Sequence, residues 1–280
     1  MSEAGRKLPL FDRIIKPEHI VLNNGHEIDR PRSRIPLIIA CLVLVIWVSL
    51  RATGFNLATI ISRAGQLKVI LGQIFHPNFA YFPKVVSPLI DTIKMSIVGT
   101  VVGCVIGLPL SILASSNINS NHPVLLFIRF ILSLMRSIPT LIYASILTLV
   151  FDLGTFAGTI AIAFFTIGIV AKMLYESIET IDMKPYEAMT SFGASTLQAF
   201  WTACMPQILP TYIDDCLYCF ELNVRASTIL GYVGAGGLGV LIRERTGLRA
   251  YSDLGMVLLT LFIVVFLIDL LNDYIRSKIS

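Results

Sequence analysis

Five apolar runs, at about residues 85–113, 124–150, 155–178, 208–233 and 254–272, carry few charges and are each long enough to cross a bilayer. A helical span needs about 20 such residues, because lipid offers backbone amides and carbonyls no partner of its own. A shorter run from Ile35 to Leu50 has the length of a signal-peptide core. The tail before it is too long for one, however, and no small-residue cleavage site follows cleanly, so it reads as an uncleaved first span. The expected fold class is all-α, a polytopic transmembrane helical bundle of about six spans. Composition agrees: 55% of residues are hydrophobic and 14% charged, against about 25% charged in soluble domains.

The net charge of +4 is small, and seven basic residues (Arg6, Lys7, Arg13, Lys16, Arg30, Arg32, Arg34) crowd into the start of the chain. That pattern suggests no nucleic-acid surface; it marks residues 1–34 as a cytoplasmic tail. Residues 35–51 then form the first span, 52–84 an external interfacial segment of short helices and turns, and 85–275 the main membrane domain, with both termini cytoplasmic and lipid as the surrounding partner. Arg243, Arg245 and Arg249 fall in a loop this topology places outside, against the positive-inside rule. Cys216 and Cys219 form a C-x-x-C within an apolar run and read as packing, and the four histidines lack the spacing of metal ligands.

Between the fourth and fifth of the expected spans the chain turns polar, over 182–206. Two short helices are expected, broken at Gly193, where positive φ is wanted, and closed by Pro206. Ser195 with Gln198 forms a capping box, and Leu197, Phe200, Trp201 and Cys204 recur on one apolar face. Such a face suits either lipid or a groove on a soluble partner.

Ionisable groups at membrane depth cost roughly 2.5–3.5 kcal/mol on insertion scales, so they face partners or water. Glu221 and Arg225, four residues apart, are either a structural ion pair or part of a path. Arg136 precedes Pro139, which breaks the third run and frees backbone groups near a path. Asp91, Lys94, Lys172, Glu176 and Asp269 sit near the ends of runs, where snorkelling explains them. The glycine run with Gly234, Gly236 and Gly237 matches G-x-G-x-x-G, and Asp253 follows at a fitting distance. A membrane span precedes it where a dinucleotide site needs a strand, so it reads as a tight re-entrant turn. Arg136, Arg225 and this turn are the candidates for contact with an oxyanion.

Two blocks carry a family resemblance. Glu187-Ala188-Met189, Gly193 and Ala203-Cys204-Met205-Pro206 resemble the "EAA" motif of ABC importer permeases, with Ala203 and Met205 in place of the larger Ile and Leu. Tyr218 to Gly239 is similar to phosphonate-type ABC permeases, the group that includes phosphite importers. Arg136-Ser137-Ile138-Pro139 and Gly154 to Gly158 resemble two further blocks, with Asp152 and Thr155 as departures. The resemblance implies a methionine-importer-like core and a homodimer in the bacterial inner membrane. It implies an ATPase subunit docked at Glu187, Ala188, Gly193 and Pro206, and an extracytoplasmic phosphonate-binding protein. The chain has no G-x-x-x-x-G-K-[ST] phosphate loop, so ATP and Mg would be bound by the separate ATPase. The implied cargo is a phosphonate, phosphite or phosphate ester. Rival readings are a permease for another small solute such as methionine, and a membrane-embedded enzyme, for which no convergent carboxylates, metal site or nucleophile and base stand out.

Overall fold

A computed structural model describes residues 18–21, 27–30 and 35–279. They fall into two compact units that divide after Leu67 and are described separately. The first holds a small antiparallel hairpin, β1 (Glu18–Val21) with β2 (Glu27–Arg30), with Glu18 opposite Arg30. This hairpin is a local exception to the expected all-α fold. Helix α1 (Ile35–Ala52) matches the first expected span, with Arg51 alone charged in its last turn and no residue buried. In place of several short helices, one 18-residue helix, α2 (Leu57–Ile74), fills most of the segment before the main domain.

The main unit opens at Lys68, within α2, and continues through a 3₁₀ turn at Phe79–Tyr81 into the long helix α3 (Phe82–Ala114). Pro88 and Pro109 lie inside α3, and a ladder of hydroxyls follows the first. Thr92 donates to the Pro88 carbonyl at 2.9 Å, Ser96 to Thr92 at 2.9 Å and Thr100 to Ser96 at 2.6 Å. The third apolar run is not one rod. It divides into α4 (His122–Ser137) and α5 (Thr140–Phe151), bent by 87°. The cause is Pro139: proline drives the preceding residue out of helical geometry, and Ile138 is extended at φ −89°, ψ 121°. Helix α6 (Thr155–Ile178) coincides with the fourth run.

The polar segment corrects the two-helix expectation. Helix α7 (Lys184–Ser191) is separate, but α8 (Thr196–Ala199) runs through a π-helical turn at Phe200–Cys204 straight into α9 (Met205–Leu230). Pro206 therefore closes nothing; it follows the π turn directly, at the start of α9. After the glycine turn come α10 (Leu238–Gly247), where only a loop was expected, and α11 (Tyr251–Ile279). Among the described residues four helices are long and apolar enough to cross a membrane, or up to six spans if each of two bent pairs counts as one.

Helices α3 and α6 pack backbone to side chain along a stripe of glycines. Cβ atoms added at Gly99, Gly103 and Gly107 would meet Ile162, Thr166 and Val170 in turn. Small residues spaced by four allow this close approach, which replaces the hydrophobic drive that lipid removes. Asn223 of α9 is fully buried beside them and donates to the Thr100 hydroxyl at 2.8 Å and the Thr166 hydroxyl at 2.7 Å, so one amide joins α3, α6 and α9.

Candidate functional site

The 182–206 segment is anchored from inside. Leu174, Ile178, Tyr186, Ala199, Phe200, Cys204 and Ile208 form one buried cluster that ties α7 and the π turn to α6 and α9. Burial raises the Tyr186 phenol above its ordinary pKa, against a hydrogen bond with Thr196. The expected apolar face is thus split. Phe200 and Cys204 are fully buried in the protein, whereas Leu197 and Trp201 are exposed and Phe192, at the tip, is 90% exposed. The wide π turn causes the split by shifting the register of the face midway. The Ser195–Gln198 capping box is present, with both reciprocal hydrogen bonds. Gly193 adopts φ +88° with open space around it, and Glu187 and Ala188 are exposed on α7.

A clamp braces this end of the bundle. Arg129 of α4 pairs with Glu179 just beyond α6 and donates through Nε to the Ala114 carbonyl at 2.8 Å. The Ser116 amide and hydroxyl both donate to the same Glu179 oxygen, at 2.7 and 2.5 Å. Burial raises the Glu179 pKa, but the Ser116 hydrogen bonds and the Arg129 charge outweigh it and hold the carboxyl below its ordinary value.

Beside the clamp, a cleft of about 540 Å³ opens among α4, α6, α9 and α11, lined by Arg136, Lys172, Glu176, Asp214, Tyr218 and Arg276 among others. Lys172 pairs with Glu176 at 3.3 Å, and Arg276 with Asp214 at 2.5 Å. Arg136, in the last turn of α4, makes no ion pair among the described residues, and its Nε is buried without an acceptor. Its stem rests on Gly168, where an added Cβ would stand 2.9 Å from the Arg136 Cγ.

The other candidates lie apart from this cleft. Arg225 is held by Glu221 on α9 and reaches Asp269 of α11 at 3.8 Å. Pro139 caps α5 at the bend. The glycine turn sits at the far end of α6: Gly234, Gly236 and Gly237 have φ of +84°, +83° and +70°, and a Cβ at Gly236 would stand 2.7 Å from Thr155. The Leu238 amide donates to the Thr92 hydroxyl at 2.8 Å. At about 1.5 Å per residue, the α6 stretch from Thr155 to Lys172 separates the turn from the cleft by about 25 Å. Arg136, Arg225 and the glycines are therefore three places, not one site. Two of the three anomalous arginines find partners: Arg245 pairs with Glu244 at 2.7 Å and Asp253 at 3.5 Å and lies over the Tyr81 ring, and Arg243 donates to the Tyr232 carbonyl.

Lys172 and Glu176 escaped sequence reasoning because each sits near a span end, where snorkelling accounts for a charge; Asp214 and Arg276 gained their meaning only from pairing with each other across α9 and α11. The recoverable signal was the i, i+4 spacing of Asp214, Tyr218 and Leu222, which places all three on one face of α9.

Broken helices, charged groups within the spans and a polar segment anchored from inside but exposed at its tip are the features of a membrane transport component. A family model described as "Binding-protein-dependent transport system inner membrane component" matches residues 107–280, and the chain belongs to that family. It is 30% identical to the phosphite transport system permease protein PtxC of Stutzerimonas stutzeri, over 93% of this chain and 94% of that protein. It is 34% identical to the phosphate-import permease protein PhnE of Mycolicibacterium smegmatis, over 72% of this chain and 40% of that protein. Among solved structures, an inward-facing form of the MetNI methionine ABC transporter matches with a TM-score of 0.63 at 25% identity, covering 70% of this chain and 96% of that one.

Proposed function

We propose that this chain is the permease subunit of an ATP-driven importer for phosphorus oxyanions of the phosphonate, phosphite or phosphate-ester class. The observation that carries the reading is the likeness to a phosphite permease along nearly the whole of both chains. The unpaired Arg136 in a polar cleft is the chemistry such a cargo needs. The likeness to a methionine transporter covers less of this chain at lower identity, so that rival ranks second.

In this reading two copies enclose the path in the cytoplasmic membrane, with residues 1–34 and the C-terminus on the cytoplasmic side. A separate subunit binds ATP and Mg and docks on the 182–206 segment through Glu187, Ala188 and the turn at Gly193, while Pro206 starts the helix that carries the motion inward. An extracytoplasmic binding protein delivers the cargo at the end of the glycine turn. Arg136, Pro139, Glu221, Arg225, Gly234, Gly236 and Gly237 belong to the path or its supports. Residues 52–84 lie along the outer membrane surface.

The test is co-expression with candidate ATPase and binding-protein subunits, followed by ATP-driven uptake in proteoliposomes. Phosphite or methylphosphonate should accumulate and methionine should not. Accumulation of methionine without phosphorus oxyanions would defeat the reading.

A further inference from the structure

We infer that the cleft between α4, α6, α9 and α11 is a binding site for one phosphorus oxyanion at the ATPase-facing end of the path, with Arg136 as its principal ligand. The inference rests on the function proposed above and adds to it a bounded site, with Gly168 as the residue that positions Arg136. Position comes from α6 and α11: Lys172 and Glu176 are in the last turns of α6 and Arg276 in the last turn of α11, while Arg136, two turns beyond Arg129 on α4 and seated on Gly168, marks the deep end of the cleft. Glu179 and the docking segment follow directly on α6.

Charge selects the ligand. Lys172 and Arg276 are neutralised by Glu176 and Asp214, so the cleft is left with one cation in excess, and that cation is Arg136. A buried Nε with no acceptor is costly in a low-dielectric site unless an acceptor arrives. An oxyanion accepts two parallel N–H bonds from the guanidinium fork. A tetrahedral anion still has a further oxygen for the Tyr218 hydroxyl or for either paired cation, which a planar carboxylate lacks. The volume of about 540 Å³ leaves room for an organic substituent or a water shell.

A structural role for Arg136 would be the usual attraction of a cation to a helix C-terminus. That role needs no cleft and no room at Gly168. Gly168 is the positioning residue: its missing side chain lets the Arg136 stem lie against α6.

The experiment uses the full complex of permease, ATPase and binding protein in proteoliposomes, measuring labelled methylphosphonate taken up per ATP hydrolysed. Arg136→Gln should lower that ratio by about tenfold or more, the loss expected for a charge-assisted pair of hydrogen bonds. Arg136→Lys keeps the charge without the planar fork and should recover only part. An unchanged ratio in Arg136→Gln overturns the inference while leaving the proposed function standing. A wild-type complex that moves no phosphorus oxyanion ends both. If Arg136→Gln does not assemble, Gly168→Ala decides. It keeps every charge and displaces the arginine stem, and should raise the KM for uptake several-fold; an unchanged KM overturns the inference.

Discussion

Asn223 joins three helices with one amide, yet hydrogen bonds of this kind within membranes average only about 0.6 kcal/mol each. Thr100 keeps its own bond to the Ser96 carbonyl when the asparagine is lost. Asn223→Ala should therefore cost about 1 kcal/mol. Gly103→Val should cost more, about 1–3 kcal/mol or above, because its Cβ would overlap the Thr166 Cβ and stand 3.1 Å from the Ala163 carbonyl. Thermal unfolding of the two variants in detergent ranks these terms, and a larger loss for Asn223→Ala would show that polar bonding, not close approach, holds α3 to α6. The spacing of Gly99, Gly103 and Gly107 stood open in the sequence; what no sequence shows is that Ile162, Thr166 and Val170 come opposite. Charges were likewise legible as charges. Their partners were not, since Asp214–Arg276 and Arg225–Asp269 close between helices far apart in the chain.

At the scale of elements, apolar length pointed to four helices long enough to cross a membrane and to two bent pairs, among the described residues. Connections were harder. Pro139 announced a break, but its 87° angle depends on packing, including the Tyr143 hydroxyl donating to the Met135 carbonyl at 3.0 Å. The π turn at Phe200–Cys204 has no sequence signature, so a helix continuous with α9 passed for a separate interfacial one. The clamp that braces this end has a pH signature. Glu179 titrates below its ordinary value of 4.5 in the folded protein, so its contribution is fully present above that value and is lost as pH falls through the lower, folded-state value. Thermal stability measured from pH 7 downward should be free of this loss until below 4.5. Glu179→Gln should remove that acid-side loss and lower stability at neutral pH. Arg129→Gln should weaken stability at neutral pH in the same way, since it takes away one of the groups that hold the carboxylate ionised.

At the scale of the whole molecule, the segment that meets the ATPase in the proposed assembly is buried on one side and bare on the other. Phe192 is almost wholly exposed, as isolated large apolar side chains at a loop tip are when a partner pocket covers them. Phe192→Asp should abolish co-purification of the ATPase while the permease still inserts in the membrane, which fractionation separates. Gly193→Ala, in contrast, meets open space and bears only the cost of its positive φ, about 1–2 kcal/mol. It should lower thermal stability modestly and weaken retention of the ATPase, since the turn belongs to the proposed docking surface; full retention would take Gly193 out of that surface.

Helical backbone runs from Thr196 through the π turn to Leu230 without a stop. At about 1.5 Å per residue this is a single rod of roughly 50 Å. Its lower end is bolted into the buried cluster around Phe200, and its upper end carries the glycine turn wedged against Thr92 and Thr155. A rod of that length works as a lever. In the proposed assembly, tilting it by a few degrees at the end that meets the ATPase sweeps the opposite tip through several ångströms, comparable to the width of a small anion. In that assembly an outer gate is then worked from the ATPase-docking end with no local refolding in between.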